Sequence, residues 1–465
     1  MHGSSPSVSL LRWLPALFLL VLGLVYLWLN LPEWSVKHYP DSNSYLLLEK
    51  QTFIEALSHV RTMGYPAFAW ALKTLTGSYA AVPVVQYVLH LLAALLLWYG
   101  LCVYGLRPWS ALVVTLPVLF ANIIRYFSHA LLSDALGATL VVVVVALLLL
   151  YIARPWQWGY GVALAVAVFV AFQVRPANQV LVPMLVLVGG LLYGMRPARL
   201  RSDGAMGFWS MLGRLSAAGF VPLLGFFTLR LLLVGHFGLV AATGIPLIGI
   251  AGSLITPDLL PQIREEVRPL AQTIVDDREK DGMEVPFSTL GWIRYGEWYR
   301  QYDWNNYHNT VLAHARRMHN GNHVMADQSL QQLAVQVLRL RFSYYAKWIM
   351  AAAGDALGVL LRRDFNLQLT GLLWLLAVLF YHTLRGMRVW RGKPIVAARD
   401  AQAMWEISVV VVVGLLYAGM ATLLVILTAP PIERYLQNTA IFLPGVVALL
   451  AYIRVQEGWQ LWRSS

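Results

Sequence analysis

The sequence predicts an all-α, polytopic integral membrane protein of about ten transmembrane helices, with juxtamembrane helices and a helical outer loop region. Three observations carry this reading. Hydrophobic residues make up 58% of the 465 positions and charged residues only 12%, against about 25% charged in a soluble globular domain. Apolar runs recur along the chain at the length of about 20 residues that crosses a bilayer core. Short loops rich in Arg alternate with loops that are not, the pattern set when every second loop is cytoplasmic.

The apolar runs lie at 10–30, 81–103, 109–124, 135–153, 157–173, 178–195, 215–235, 365–384, 405–428 and 437–454. The first, Leu10–Leu29, is longer than a signal-peptide core and is followed by Asn30-Leu31-Pro32-Glu33 rather than a small-residue cleavage site. It reads as a retained span. With the N-terminus inside, Arg107, Arg154, the group Arg196, Arg199, Arg201 and Arg214, and the group Arg385, Arg388, Arg391, Lys393 and Arg399 all fall in inner loops. Arg454 and Arg463 follow the last span. An even number of spans with both termini cytoplasmic satisfies the charge rule.

The apolar stretch Leu239–Ile255 carries Gly244, Pro246, Gly249 and Gly252. Counting it as a full span would put Arg385–Arg399 outside, so it reads as a re-entrant or broken helix packed against protein. Three regions follow: a transmembrane module over 1–255 with a large outer loop at 31–80, a helical outer cap over 256–364, and C-terminal transmembrane helices over 365–465. The net charge of +12 is accounted for by cytoplasmic loops beside anionic headgroups, and nucleic acid is not implied. A single cysteine, Cys102, excludes an intrachain disulfide and a cysteine-based metal site.

This topology gathers ionisable residues from distant parts of the chain on the outer face. The first outer loop holds Asp41, Ser42, Asn43 and Tyr45, then His59, Arg61 and Gly64-Tyr65-Pro66. The second holds Arg125, His129 and Ser133-Asp134, the third Arg175-Pro176-Ala177-Asn178, and the last Glu433-Arg434-Tyr435. Each has a plain structural alternative. Asp41 or Ser42, and Ser133-Asp134, have the side chains of helix N-caps, and Arg175 is placed to snorkel toward headgroups. As a set, acids and arginines at a dry boundary point to partners or to chemistry. Cations suit a phosphate, and a carboxylate suits a proton taken from a hydroxyl.

The order of these elements resembles the GT-C superfamily of glycosyltransferases, in particular the bacterial branch related to protein mannosyltransferases and aminoarabinose transferases. The resemblance lies in an early Asp of the first outer loop (Asp41) followed by a Tyr, in Gly64-Tyr65-Pro66 before the second span, and in Leu-Ser-Asp-Ala-Leu around Asp134. Arg175-Pro176 and a late Arg434-Tyr435 complete it. In layout it covers most of the chain, in motifs about the first 180 residues. Asp41 has Ser42 and Asn43 beside it where many relatives show adjacent acids, and no separate C-terminal soluble domain is visible.

The resemblance implies a sugar donor on a polyprenyl phosphate, membrane lipids as surroundings, and an acceptor hydroxyl on a glycan, glycolipid or protein at the periplasmic side of a bacterial inner membrane. Inversion at the anomeric carbon is expected. Asp41 is then the general base, and Asp134 orients substrate or pairs with an arginine. Arg175 and Arg434, followed by Arg61, Arg125 and Lys347, hold the donor phosphate. Tyr45, Tyr65, His129, Glu433 and Tyr435 contact substrate. No cofactor is fixed, and a divalent metal is left open.

The cap carries Trp292, Tyr295, Trp298, Tyr299, Tyr302, Trp304 and Tyr307, read as interfacial aromatics ahead of a sugar-stacking surface. His308, His314, His319 and His323 raise zinc, since i,i+4 histidines share a helix face, but Gly321 intervenes and no third ligand is placed. Two other readings stand beside the transferase. A polysaccharide polymerase or ligase would rely on late-loop residues such as His308. A transporter or lipid flippase would show internal repeats and midplane charges, and the sequence has neither.

Overall fold

Ser133–Ala153 is apolar on every face and carries five consecutive valines, Val141 to Val145. A helix with no polar stripe has no side to turn toward water and must be surrounded. In the computed structural model it is the central element, buried along most of its length. The structure describes residues 11–30, 35–46, 48, 52–197, 200, 206–283, 302–304, 311–391 and 400–463. Arg199, Arg201, Lys393, Arg399, Trp292, Tyr295, Trp298, Tyr299, Tyr307 and His308 lie outside the described residues.

In chain order the helices are α1 (Leu14–Asn30), α2 (Phe53–Leu57), α3 (Gly64–Thr76), α4 (Val82–Tyr104), α5 (Pro108–Leu119), α6 (Asn122–Phe127) and α7 (Ser133–Ala153). They continue with α8 (Trp158–Val174), α9 (Leu181–Gly194), α10 (Phe208–Val234), α11 (Gly244–Gly252), α12 (Arg268–Lys280) and α13 (Val311–Met318). The last are α14 (His323–Leu340), α15 (Phe342–Arg363), α16 (Phe365–Trp390), α17 (Ala401–Thr428), α18 (Glu433–Thr439) and α19 (Leu443–Arg463). Among the described residues there is no strand. One parallel bridge pairs Lys37 with Ala130.

All ten segments expected to span are helical, but they are not equal. Seven are long and apolar enough to cross a membrane, and the pair α18 and α19, bent by 51°, brings the number to eight. Helices α1 and α8 have 17 residues each, or about 25 Å at the α-helical rise, somewhat less than a core of about 30 Å. Among the described residues the helices long enough to cross number seven or eight, and α1 and α8 are shorter apolar helices beside them. The chain is nonetheless a multi-pass membrane protein. Its perimeter helices α10 and α16 expose Leu229, Leu231, Leu232, Leu372, Leu375 and Leu379, an apolar belt that water would not tolerate.

The stretch read as broken or re-entrant holds only the nine-residue α11. Its first N–H groups, which no helix can satisfy internally, are taken by the buried carboxylate of Asp327 on α14. That carboxylate accepts from Thr243 N at 3.0 Å, Gly244 N at 2.8 Å and Ile245 N at 3.3 Å. The described residues of 256–364 hold α12 to α15, and their core is shared. Trp348, Leu330 and Leu333 pack with Ile426 of α17 and Leu436 of α18, so the cap is seated on the membrane helices.

Helix ends sort to two faces. At one, Arg107 before α5 meets Glu406 of α17, Gln402 donates to Gly105 O and Trp405 to Met195 O. At the other lie the start of α7, the end of α8, the end of α17 and all of α18. Gly64 opens α3 directly against the end of α8, where a Cβ would stand 2.5 Å from the Gln173 carbonyl carbon. Only glycine permits this approach of two backbones. Gly64→Ala is expected to cost about 1–3 kcal/mol, as overpacking in a filled core does, read as a lower unfolding midpoint in detergent. Gly77→Ala at the far end of α3, where the cost is backbone conformation alone, tests whether the packing clash is the larger penalty.

Candidate functional site

Asp41 ends the loop that pairs with residues 129–131 through Lys37, and it precedes a 3-10 turn, Ser42–Tyr45. The turn closes through side chains: Ser42 Oγ accepts from Tyr39 N at 2.8 Å, and the Ser44 hydroxyl donates to Asp41 O at 2.6 Å. The Asp41 carboxylate does not cap this turn. It faces outward to two guanidinium groups, Arg434 Nη1 at 3.0 Å and Arg61 Nη2 at 3.3 Å. Arg61 is aimed by its Nε–H bond to Ser44 Oγ at 2.9 Å and by the Tyr45 ring, 4.7 Å below its Cζ.

Asp134 is the second acid, in the first turn of α7. It does not cap that helix either. Its carboxylate accepts from Arg175 Nη1 at 2.7 Å and from Arg434 Nη2 at 2.8 Å, with Arg434 Nε at 3.2 Å from both oxygens. Arg434 therefore bridges the two acids, and its Cζ lies 5.8 Å from the Phe127 ring. Side-chain exposure falls from 35% at Asp41 to 25% at Arg434, 9% at Arg175 and 2% at Asp134. The cluster thus has an open rim and a sealed floor. Two carboxylates against three guanidinium groups leave one net positive charge.

The other expected site residues are distributed unevenly. Tyr45 is buried at the cluster with its phenol 3.0 Å from Ser133 Oγ. Tyr65 packs edge-on against Tyr45 and donates to Ala130 O at 3.3 Å. Burial, with Tyr45 and Asp134 nearby, holds the Tyr65 phenol well above its usual range, so it stays a neutral donor. Tyr435 is near Arg434, Arg175 and both acids. Glu433 accepts from Gln437 of its own helix at 2.8 Å. His129 contributes its backbone carbonyl to Lys37, and burial together with Lys37 lowers its imidazole pKa. Lys347 lies over the Tyr344 ring on α15.

Arg125 turns away from the acids. It stands over the Phe365 ring at 5.7 Å and lines a cavity of about 600 Å³ with Tyr26, Phe120, Leu369, Leu373 and Val455. This cavity runs between α1, α5, α16 and α19 and is apolar apart from its Arg125 end. Arg125 and Phe127 lie two positions apart on α6, a spacing that projects their side chains to different sides of the helix, so α6 stands between the cavity and the ring that faces Arg434. Sequence reasoning missed this cavity, the role of Ser44 and the Tyr45–Ser133 contact. The Asp-x-x-Ser spacing of a closed turn was a signal for Ser44. The cavity needs four helices that are far apart in sequence and had no signal.

The donor set does not suit a divalent cation. Arg434 lies between the two acids, and every carboxylate oxygen already faces a guanidinium group. Among the described residues no three His, Cys, Asp or Glu side chains converge on a point. His319 and His323 do not share a helix face. Asn320 and Gly321 between them are left-handed, at φ 52° and 83°, and His319 bonds Ser329 while His323 faces His59. The arrangement is one that receives an anion. No protein-family model, curated protein or solved structure matches the chain.

The burial gradient sets the order of two variants. Asp134→Asn leaves Arg175 and Arg434 facing a neutral partner at the sealed floor and is expected to destabilise the fold by about 3–5 kcal/mol. Asp41→Asn at the rim is expected to cost under about 1 kcal/mol, as exposed pairs do. Detergent unfolding midpoints for the two variants check the order. A second outcome concerns pH. Burial first, then His323, Arg61 and Arg316, push the His59 imidazole down to about 4. The unfolded chain therefore binds the extra proton first, and stability is expected to fall as pH drops from about 6.5 to 4. His59→Gln flattens that part of the unfolding-midpoint profile if His59 is its source.

Proposed function

We propose that the protein is a membrane glycosyltransferase of GT-C-like design that moves a sugar from a polyprenyl-phosphate donor to an acceptor hydroxyl. The observation that carries this reading is the bridge Asp41–Arg434–Asp134, together with a lipid-sized, mainly apolar cavity that carries Arg125 of α6, the helix whose Phe127 ring lies 5.8 Å from the Arg434 Cζ. A reaction that joins a lipid-borne phosphate to a water-borne hydroxyl needs both surfaces within reach of one another. The carboxylate–guanidinium face is the non-cytoplasmic one on this reading, because Arg107, Arg154 and Arg196 sit at the opposite helix ends and basic ends face the cytoplasm.

The donor's isoprenoid chain lies in the cavity and its phosphate meets Arg434 and Arg61, with Arg125 at the cavity end. Arg434 and Arg61 are the half-exposed cations. Their bonds to Asp41 are exchanged for bonds to phosphate, a stronger charge-assisted partner. That exchange frees an Asp41 oxygen for the acceptor hydroxyl. In the displacement the acceptor oxygen forms a bond to the anomeric carbon as the bond from that carbon to the phosphate oxygen breaks. The hydroxyl proton passes to Asp41, and the electron pair leaves on the polyprenyl phosphate, stabilised by the guanidinium groups. One displacement inverts the anomeric centre. Arg175, sealed against Asp134, is a positioning residue: it holds the acid that holds Arg434.

Transfer from a synthetic polyprenyl-phosphate sugar in detergent tests this. Asp41→Asn is expected to lower kcat about 10²–10⁴-fold, the usual weight of a general base, without loss of the folded state. Wild-type turnover in Asp41→Asn sinks the assignment. Ala451→Trp, which fills the cavity, is expected to raise KM for a long-chain donor more than for a short-chain one. Equal effects on both would remove the cavity from the donor site.

A further inference from the structure

The outer loop and the cap also meet along a seam that the transfer chemistry leaves unused. His59, just past α2, faces His323 at the start of α14 with ring centroids 6.2 Å apart. Arg61 and Arg316 act on the same imidazole, and Arg316 acts on His323 as well. Among the described residues, every charged group recorded as acting on these two histidines is a cation or another histidine. Two of the nitrogens, His59 Nδ1 and Arg316 Nε, are buried without a hydrogen-bond partner among the described residues.

This arrangement is costly as it stands. A buried polar atom with no partner forfeits its hydration, and a guanidinium beside an imidazole opposes its protonation. Native structures keep such groups where an anion completes them. The donors come from two separate elements, the loop after α2 and the α13–α14 corner. They therefore suit a tetrahedral group with several oxygens better than a planar carboxylate. Arg61 joins the seam to the reaction centre, because it also holds Asp41 at 3.3 Å.

We propose that this seam is a phosphate subsite, formed by His59, His323 and Arg316, that takes a phosphate group carried by the acceptor. The subsite stands on the seam's own geometry, while its assignment to the acceptor rests on the glycosyl-transfer reading. Occupation by a dianion favours the protonated imidazoles, so binding takes up protons and draws the cap onto the first outer loop.

Inorganic phosphate is the probe, on the full chain in detergent, at ionic strength held constant with chloride. Arg434→Gln removes the donor-phosphate position, and in that background phosphate is still expected to raise the unfolding midpoint. Adding Arg316→Gln or His323→Gln is expected to weaken the apparent affinity about tenfold, the loss of one charge-assisted bond. Because Arg434→Gln is itself a risk to folding, imidazole NMR of the wild-type chain gives a second readout, with phosphate moving the His59 and His323 resonances toward the protonated form. Histidine resonances that ignore phosphate, or undiminished binding after Arg316→Gln, overturn the subsite. Equal kcat/KM for phosphorylated and phosphate-free acceptors overturns its assignment to the acceptor. Phosphate binding at the seam with no sugar transfer from any donor leaves the subsite standing and counts against the transferase instead.

Discussion

Asp134 sits at the start of the most deeply buried helix, and two arginines from 41 and 300 residues further along the chain close on its carboxylate. An ionised acid in such a place is tolerable only with its charge matched and its lone pairs engaged. That requirement draws the end of α8, the turn 176–180 and the short helix α18 to one point. Once Arg434 is held there, its free edge reaches Asp41, and the first outer loop is drawn in as well. The site's composition follows from one buried charge seeking partners.

The opposite face is tied by a similar device with different consequences. Glu406 is buried and takes three bonds from Arg107, through backbone N, Nε and Nη2, and a fourth from the Ser110 hydroxyl. Arg107 also reaches Asp400 at 2.8 Å. There one guanidinium meets two acids, which leaves one net negative charge, and only Glu406 is sealed. At the Asp41 end the cations exceed the acids, and the rim is open. Two clamps of the same chemistry hold the two ends of α17, and only the one at the Asp41 end is left with positive charge for an anion.

The cap connects to this frame by backbone as much as by side chains. Asp327 caps the first turn of the short helix α11, and Gly244 lies where a Cβ would collide with Asp327 O. α11 is thus wedged onto α14, whose first residue forms half of the histidine seam. Arg230 of α10 adds a second tie, donating to Leu57 O at 3.1 and 2.9 Å beside the loop that carries His59 and Arg61. Cap, outer loop and membrane helices meet around that loop, so a ligand in the seam and one at the cluster would both act on it.

Composition and periodicity alone determined the solvent, the helical class and the placement of the ten long apolar runs on helices, because a chain with so few charges must be hidden from water and a continuous apolar run satisfies its own backbone in lipid as a helix. The alternation of basic loops sorted the helix ends into two sets, and that sorting placed Asp41, Asp134, Arg175 and Arg434 on one face without their contacts. What sequence could not say is which of them touch. Asp41 and Asp134 had the spacing of helix caps, and their release from that duty depends on Arg434 arriving from the far end of the chain. Arg125, read alongside the other arginines, faces a cavity instead, since its neighbours come from four separate helices. Charge that is local in sequence is legible there. Partnership across hundreds of residues is decided by packing, which alone sets the distances at which charges pair.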